Sequence, residues 1–134
     1  NIFSRQFPKM DNQSKLFALL HDSAEYVISD MISPLKAHLG ITYEALDEKL
    51  TKAICIRFNI PTAKIKTIKR HIKIADKMAA WLEAIQLAGF SKQEADSLFG
   101  KHMGVEGFES YLSPDTPFFV RKKFVNRFNE LYNG

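Results

Sequence analysis

Apolar residues recur along most of the chain in three- and four-residue steps, the repeat of a helix with one covered side, and nowhere in the alternation of a half-buried strand. The densest stretch runs from Leu16 to Lys36, where Leu16, Leu19, Leu20, Ala24 and Val27 form one stripe. Phe17, Ala18 and Ile28 flank it, so this helix is apolar nearly all round and is expected to be covered on most sides. His21, Asp22 and Glu25 project from what remains. They are either a solvated face or an imidazole and two carboxylates in a cleft, where buried charges need a partner or a metal.

The other elements follow from the same spacing. Ile2, Phe3 and Phe7 read as the end of a helix interrupted by Pro8; with no initiator methionine before Asn1, the expectation is a chain that starts inside its first helix. Lys9 to Ser14 reads as a loop, with Asn12 or Ser14 capping the central helix. That helix is expected to fray near Ser29 and Asp30, because the residue before a proline avoids the αR region and Ser33 precedes Pro34. Lys36, Ala37 and His38 form a short turn ended by Gly40. Thr42 then caps a helix running to Phe58, with Leu46, Leu50, Ile54 and Phe58 as its stripe and Asn59 and Pro61 closing it.

A long helix spans Thr62 to Leu87, with Ile65, Ile68, Ile72 and Ala79 on one face and Met78, Trp81 and Ile85 on the reverse. Asp76 falls within the first face and is expected to be covered, either as a pair with Lys73 or as a functional carboxylate. Gly89 ends this helix, Ser91 and Glu94 match a capping box, and a short helix stops near Gly100. Lys101 to Ser113, with Gly104 and Gly107, reads as a loop. Asp115-Thr116-Pro117 starts the last helix, whose stripe is Val120, Phe124, Phe128 and Leu131.

At 134 residues and 46% hydrophobic content the chain fits one globular domain, positions 1–134. No apolar run approaches the roughly 20 residues of a membrane span, and no signal peptide is visible. The lone Cys55 excludes an intramolecular disulfide and suits a reducing cytoplasm. The net charge of +4 suits an anionic ligand. Arg121-Lys122-Lys123 reads as a solvated face and not as a nucleic-acid site, since surface aromatics are not interleaved with it. The aromatic-rich segment from Phe118 to Tyr132 offers enough apolar surface for a homo-oligomer.

Gly-rich phosphate loops, CxxC pairs, HExxH and G-x-S-x-G are all missing, and His38, His71 and His102 have no acidic neighbour at ligand spacing. What remains is His21, Asp22, Glu25 and Asp76, with Lys36, Lys69 and Lys73 as cations. One imidazole and two carboxylates suit Mn²⁺, Co²⁺, Zn²⁺, Fe²⁺ or Mg²⁺ better than Ca²⁺. Glu25 shares the face of His21 and Asp22 and could act as general acid or base toward the same water. Metal-assisted hydrolysis of a phosphoester is the simplest reaction that uses them all.

The segment LLHDSAEYVISDMISPLK, followed roughly 50 residues later by IKIADKMAAWLEA, resembles the HD-domain metal-dependent phosphohydrolases, in particular the compact branch of bacterial 5'-deoxyribonucleotidases and phage deoxyadenosine triphosphate triphosphohydrolases. The resemblance runs from about Lys15 to Gly89. It implies an all-α HD-domain bundle of about five or six helices, with His21, Asp22 and Asp76 as ligands of a divalent metal and Glu25 orienting or activating water. It further implies that Lys36 and Lys73 meet the substrate phosphates and that Asp30 and Pro34 border the nucleoside of a deoxyribonucleoside mono- or triphosphate. The family carries one more histidine, on the preceding helix, and none stands between Asn1 and Leu20; the expectation is that it lies upstream of Asn1. Hydrolysis of an alarmone or another small phosphoester is the alternative within this chemistry. A non-catalytic helical module for nucleic acid or protein is the alternative outside it.

Overall fold

The computed structural model describes residues 2–101, 108 and 112–134; His102, Gly104 and Gly107 of the expected loop lie outside them. Among the described residues the chain is all-α. The helices are α1 (Ile2–Gln6), α2 (Asn12–Leu20), α3 (Glu25–Ile28), α4 (Ser33–Leu39), α5 (Ile41–Arg57), α6 (Ile65–Gln86), α7 (Lys92–Phe99) and α8 (Pro117–Asn133), with a 3-10 turn at Thr62–Lys64. No described helix is long and apolar enough to cross a membrane. The chain packs as two compact units, one made of Asn1–Lys9 and Lys69–Arg127, the other of Met10–Ile68 and Phe128–Gly134.

In the first unit Met78, Trp81, Leu82 and Ala84 of α6 form a buried cluster with Ala95 of α7 and Phe108, ringed by Ile2, Ile85, Phe99 and Leu112. A buried indole needs an acceptor, and Trp81 Nε1 donates to Asp96 Oδ1 at 2.8 Å. Gln86 ties down the segment beyond α7, donating to the Phe108 carbonyl and accepting from the Leu112 amide. The expected capping box opens α7, with Ser91 and Glu94 each satisfying the other's backbone amide.

Helix α6 buries a different arc from the one expected. Ile68, Ile72, Ala75, Met78, Trp81, Leu82 and Ala84 are buried, so the covered side is centred near Ala75, Met78 and Leu82. At the helical repeat this puts Asp76 roughly 120° from the middle of that side. Asp76 is exposed, on the flank of the exposed Lys69 and Lys73, and not covered as the apolar spacing suggested.

In the second unit α2 is capped by neither Asn12 nor Ser14 but by Asp11, whose Oδ1 accepts from the Ser14 amide at 2.8 Å. Asp11 Oδ2 also takes the Lys64 ammonium at 2.8 Å. Leu16, Phe17, Leu20 and Ala24 are buried as the central stripe requires, while Val27 is 67% exposed. The helical run ends near Ser29 and Asp30 as expected, α3 closing at Ile28, and Ser33 and Pro34 then open α4, which Gly40 ends; proline at the first turn gives up only an amide with no intrahelical partner. Gly40, at φ 59°, and not Thr42, precedes α5.

On α5 the fully covered residues are Thr51 and Cys55; Leu50, Ile54 and Phe58 are half-buried and Leu46 is exposed. Its end is the one expected. Asn59 takes φ 54°, the Ile60 amide reaches the Cys55 carbonyl at 2.8 Å, and that of Asn59 reaches Ile56 at 3.4 Å, a Schellman closure. Phe58 packs edge-on against Phe128 and Tyr132 at 5.3 and 5.8 Å. Of the expected α8 stripe, Leu131 is buried and Phe128 half-buried, whereas Val120 and Phe124 are exposed.

Asp11→Ala should lower the unfolding free energy measured in urea at neutral pH by about 1 kcal/mol, and Asp11→Asn should recover most of the cap's share. The Lys64 ammonium, then the Ser14 hydrogen bonds, lower the Asp11 carboxyl from 3.8 to about 2. A depressed carboxyl stabilises above its unfolded pKa, so the difference between wild type and the alanine variant should hold above about pH 4 and vanish as pH falls toward 2. Equal stabilities at pH 6 would contradict the cap.

Candidate active site

The site begins where α2 stops. From Leu20 onward the backbone keeps helical torsions, with φ and ψ of −60° and −32° at His21 and −62° and −34° at Ala24, but the amides reach back three residues instead of four. Ser23 bonds Leu20, Glu25 bonds Asp22, Tyr26 bonds Ser23 and Val27 bonds Ala24. His21 and Asp22 therefore occupy a tightened turn between α2 and α3, not the middle of one continuous helix.

His21 Nδ1 lies 2.9 Å from the Ala18 carbonyl, which can only accept, so this nitrogen carries the proton. His21 Nε2 lies 2.9 Å from Asp22 Oδ2. With a proton on Nε2 the two are an ion pair. Hydrogen bonding to His21 lowers the Asp22 carboxyl below the usual range, against the effect of burial and with smaller help from Lys36. Asp22 is 63% exposed at its side chain, so the pair stands at an opening.

A second cluster sits on the next turn. The Lys36 ammonium is 3.3 Å from Glu25 Oε1 and 3.4 Å from Asp30 Oδ1, and it lies 5.8 Å from the centre of the Tyr43 ring. Burial pulls the Lys36 pKa down, but Glu25, Tyr43 and Asp30 outweigh it and leave it raised. The Tyr43 hydroxyl donates to the Ser29 carbonyl at 3.5 Å. Ser29 itself has φ 64° and ψ 153°, a region in practice reserved for glycine, and this kink carries the chain from α3 to Asp30 and on into α4.

Of the residues singled out in the sequence, the second unit thus brings together His21 with Asp22, and Glu25 with Asp30 and Lys36. Pro34 opens α4 beside Lys36 and is exposed. Lys73 and Asp76 stand on α6 in the first unit. From sequence Tyr43 reads only as the first residue of an outer helix and Ser29 only as the place where the central helix frays, since nothing in the string ISD marks a positive φ. Among the described residues no group of three or more His, Cys, Asp or Glu side chains is gathered as a metal site.

The fold and these contacts define an all-α protein with an imidazole–carboxylate pair at a helix break and an ammonium shared by two acids. No protein family's sequence profile matches the chain. Over 132 residues it is 46% identical to an uncharacterized protein of Rhodobacter capsulatus, in an alignment that takes in 97% of this chain and 66% of the relative. The chain thus spans just under two thirds of that relative's length.

Relieving the Ser29 strain tests the kink. Ser29→Gly should raise stability by about 1 kcal/mol, the backbone strain removed less the added flexibility of the unfolded glycine. A loss of stability in thermal or urea unfolding would contradict the strained conformation.

Proposed function

We propose that the protein is a metal-dependent phosphohydrolase of the HD type acting on nucleotide phosphoesters, deoxyribonucleoside mono- or triphosphates first among them. The observation that carries the reading is the His21–Asp22 contact. Nε2 and Oδ2 are held 2.9 Å apart, close to the separation of about 3.0 Å between adjacent ligands on a small divalent ion with bonds near 2.1 Å. The Nδ1–H bond to Ala18 fixes the ring and aims Nε2, the usual support of a ligating histidine.

His21 and Asp22 would hold the ion, and the resemblance to the HD family implies Asp76 as a further ligand. The chemistry such an ion supplies when bound is polarisation of a phosphoryl oxygen and acidification of water. Glu25, 28% exposed and one turn from Asp22, accepts the proton of the attacking water. The P–O bond to the nucleoside breaks, and the leaving oxygen takes up a proton. Lys36 and Lys73 bring positive charge to the phosphate, and Asp30 and Pro34 border the nucleoside. An alarmone or other small phosphoester is the alternative substrate.

A protein-binding module is a second reading, favoured by α8. Phe118 and Val125 line a groove with Arg121, Lys122 and Asn126, and Phe119, Val120 and Phe124 are exposed beside it. Under the leading reading the same apolar surface supports a homo-oligomer, which sedimentation should show as a mass above the monomer's and which Phe118→Asp should dissociate.

The main test is a nucleotide panel with added Mn²⁺ or Co²⁺. His21→Ala and Asp76→Ala should lose metal binding and turnover while keeping the far-UV helical signal. Glu25→Ala should keep the metal and lose turnover by about 100-fold or more. Retained turnover in either ligand variant rejects the assignment, and absence of metal binding in the wild type favours the binding module.

A further inference from the structure

We propose that Lys36 is an exchangeable counter-ion: Glu25 and Asp30 share its ammonium in the free protein, and a dianionic phosphoryl group takes the place of Glu25, freeing that carboxylate only when such a group has arrived. The proposal rests on the phosphohydrolase reading for the identity of the anion.

The contacts are those of a partner that can be given up. At 3.3 and 3.4 Å both are longer than the 2.7–2.9 Å of a strong charge-assisted hydrogen bond, and the side chains of Lys36 and Asp30 are 36% and 79% exposed. Exposed pairs of this kind are weak. The rest of the environment holds the ammonium in place whichever anion it faces. Tyr43 lies 5.8 Å away with its ring, its hydroxyl pins the Ser29 carbonyl, and the Ser29 kink places Asp30 on the other side.

An ammonium offers three donors and a phosphomonoester dianion three acceptor oxygens, so the incoming group gains more at Lys36 than one carboxylate does. A phosphodiester carries a single charge, no more than the Glu25 it would displace. The arrangement therefore selects terminal phosphates over diesters. It also ties release of the water-activating carboxylate to the presence of substrate.

The test measures affinity for inorganic phosphate and for dimethyl phosphate, using the full chain with saturating Mn²⁺ and again without it. Phosphate should bind the wild type and Lys36→Arg, and at least about tenfold more weakly Lys36→Met. Glu25→Gln removes the competitor, and phosphate should bind it roughly two- to fivefold more tightly. That gain should vanish in the Lys36→Met background. It should also be missing in Glu44→Gln, which removes an exposed carboxylate of α5 outside the cluster. Dimethyl phosphate should bind each of these proteins more weakly than phosphate does. Unchanged or weaker phosphate binding in Glu25→Gln, a gain that survives Lys36→Met, or an equal gain in Glu44→Gln overturns the exchange, as does failure of phosphate to bind at all. Mn²⁺ affinity of the same samples separates the two ideas: intact Mn²⁺ binding without the Glu25→Gln gain sinks the exchange alone. The gain without Mn²⁺ binding counts against the hydrolase reading and upholds the exchange.

Discussion

The candidate site depends on one imidazole being held at both nitrogens. His21 donates its Nδ1 proton to the Ala18 carbonyl and turns Nε2 onto the Asp22 carboxylate, and both contacts stand where α2 ends. The buried Leu20 and Ala24, on either side of the pair, fix the turn from within, so the stripe that builds the core also aims the polar pair.

Around that pair the charges are arranged in sequence along the chain. His21 faces Asp22, Glu25 and Asp30 face Lys36, and Tyr43 braces the last two through the Ser29 carbonyl. The carboxylates of this stretch outnumber its cations. Such a surface attracts a divalent ion more readily than a bare phosphate, and a phosphate is better received once positive charge has been added.

How far the sequence could be read depends on how local the determining chemistry is. The capping box at Ser91 and Glu94, the Pro117 start of α8 and the Asn59 closure of α5 involve residues within one turn of each other, and all three stand where spacing put them. Asp76 shows the opposite case. Periodicity says that α6 has a covered side, but where that side is centred depends on packing by Ala75, Met78 and Leu82, which the string does not rank above Ile65 or Ile72. The same holds for Val120 and Phe124 on α8 and for Leu46 on α5, apolar residues at the right spacing that no partner covers within the described residues. The break at His21 left no mark because the torsions stay helical and only the hydrogen-bond partner changes. Of the candidate site, the residue types and their common face were legible. The helix end near Ser29 was legible too, but its positive φ and the bracing by Tyr43 were not, since the hydrogen bond between them joins α5 to the end of α3.

The central claim is that a divalent ion is held at the His21–Asp22 pair, and pulsed electron paramagnetic resonance of the Mn²⁺-loaded protein addresses it most directly. The account predicts a nitrogen hyperfine coupling from an imidazole bound to the ion, diminished or lost in His21→Gln. A spectrum with no histidine nitrogen near the ion, or one identical in wild type and His21→Gln, would contradict it.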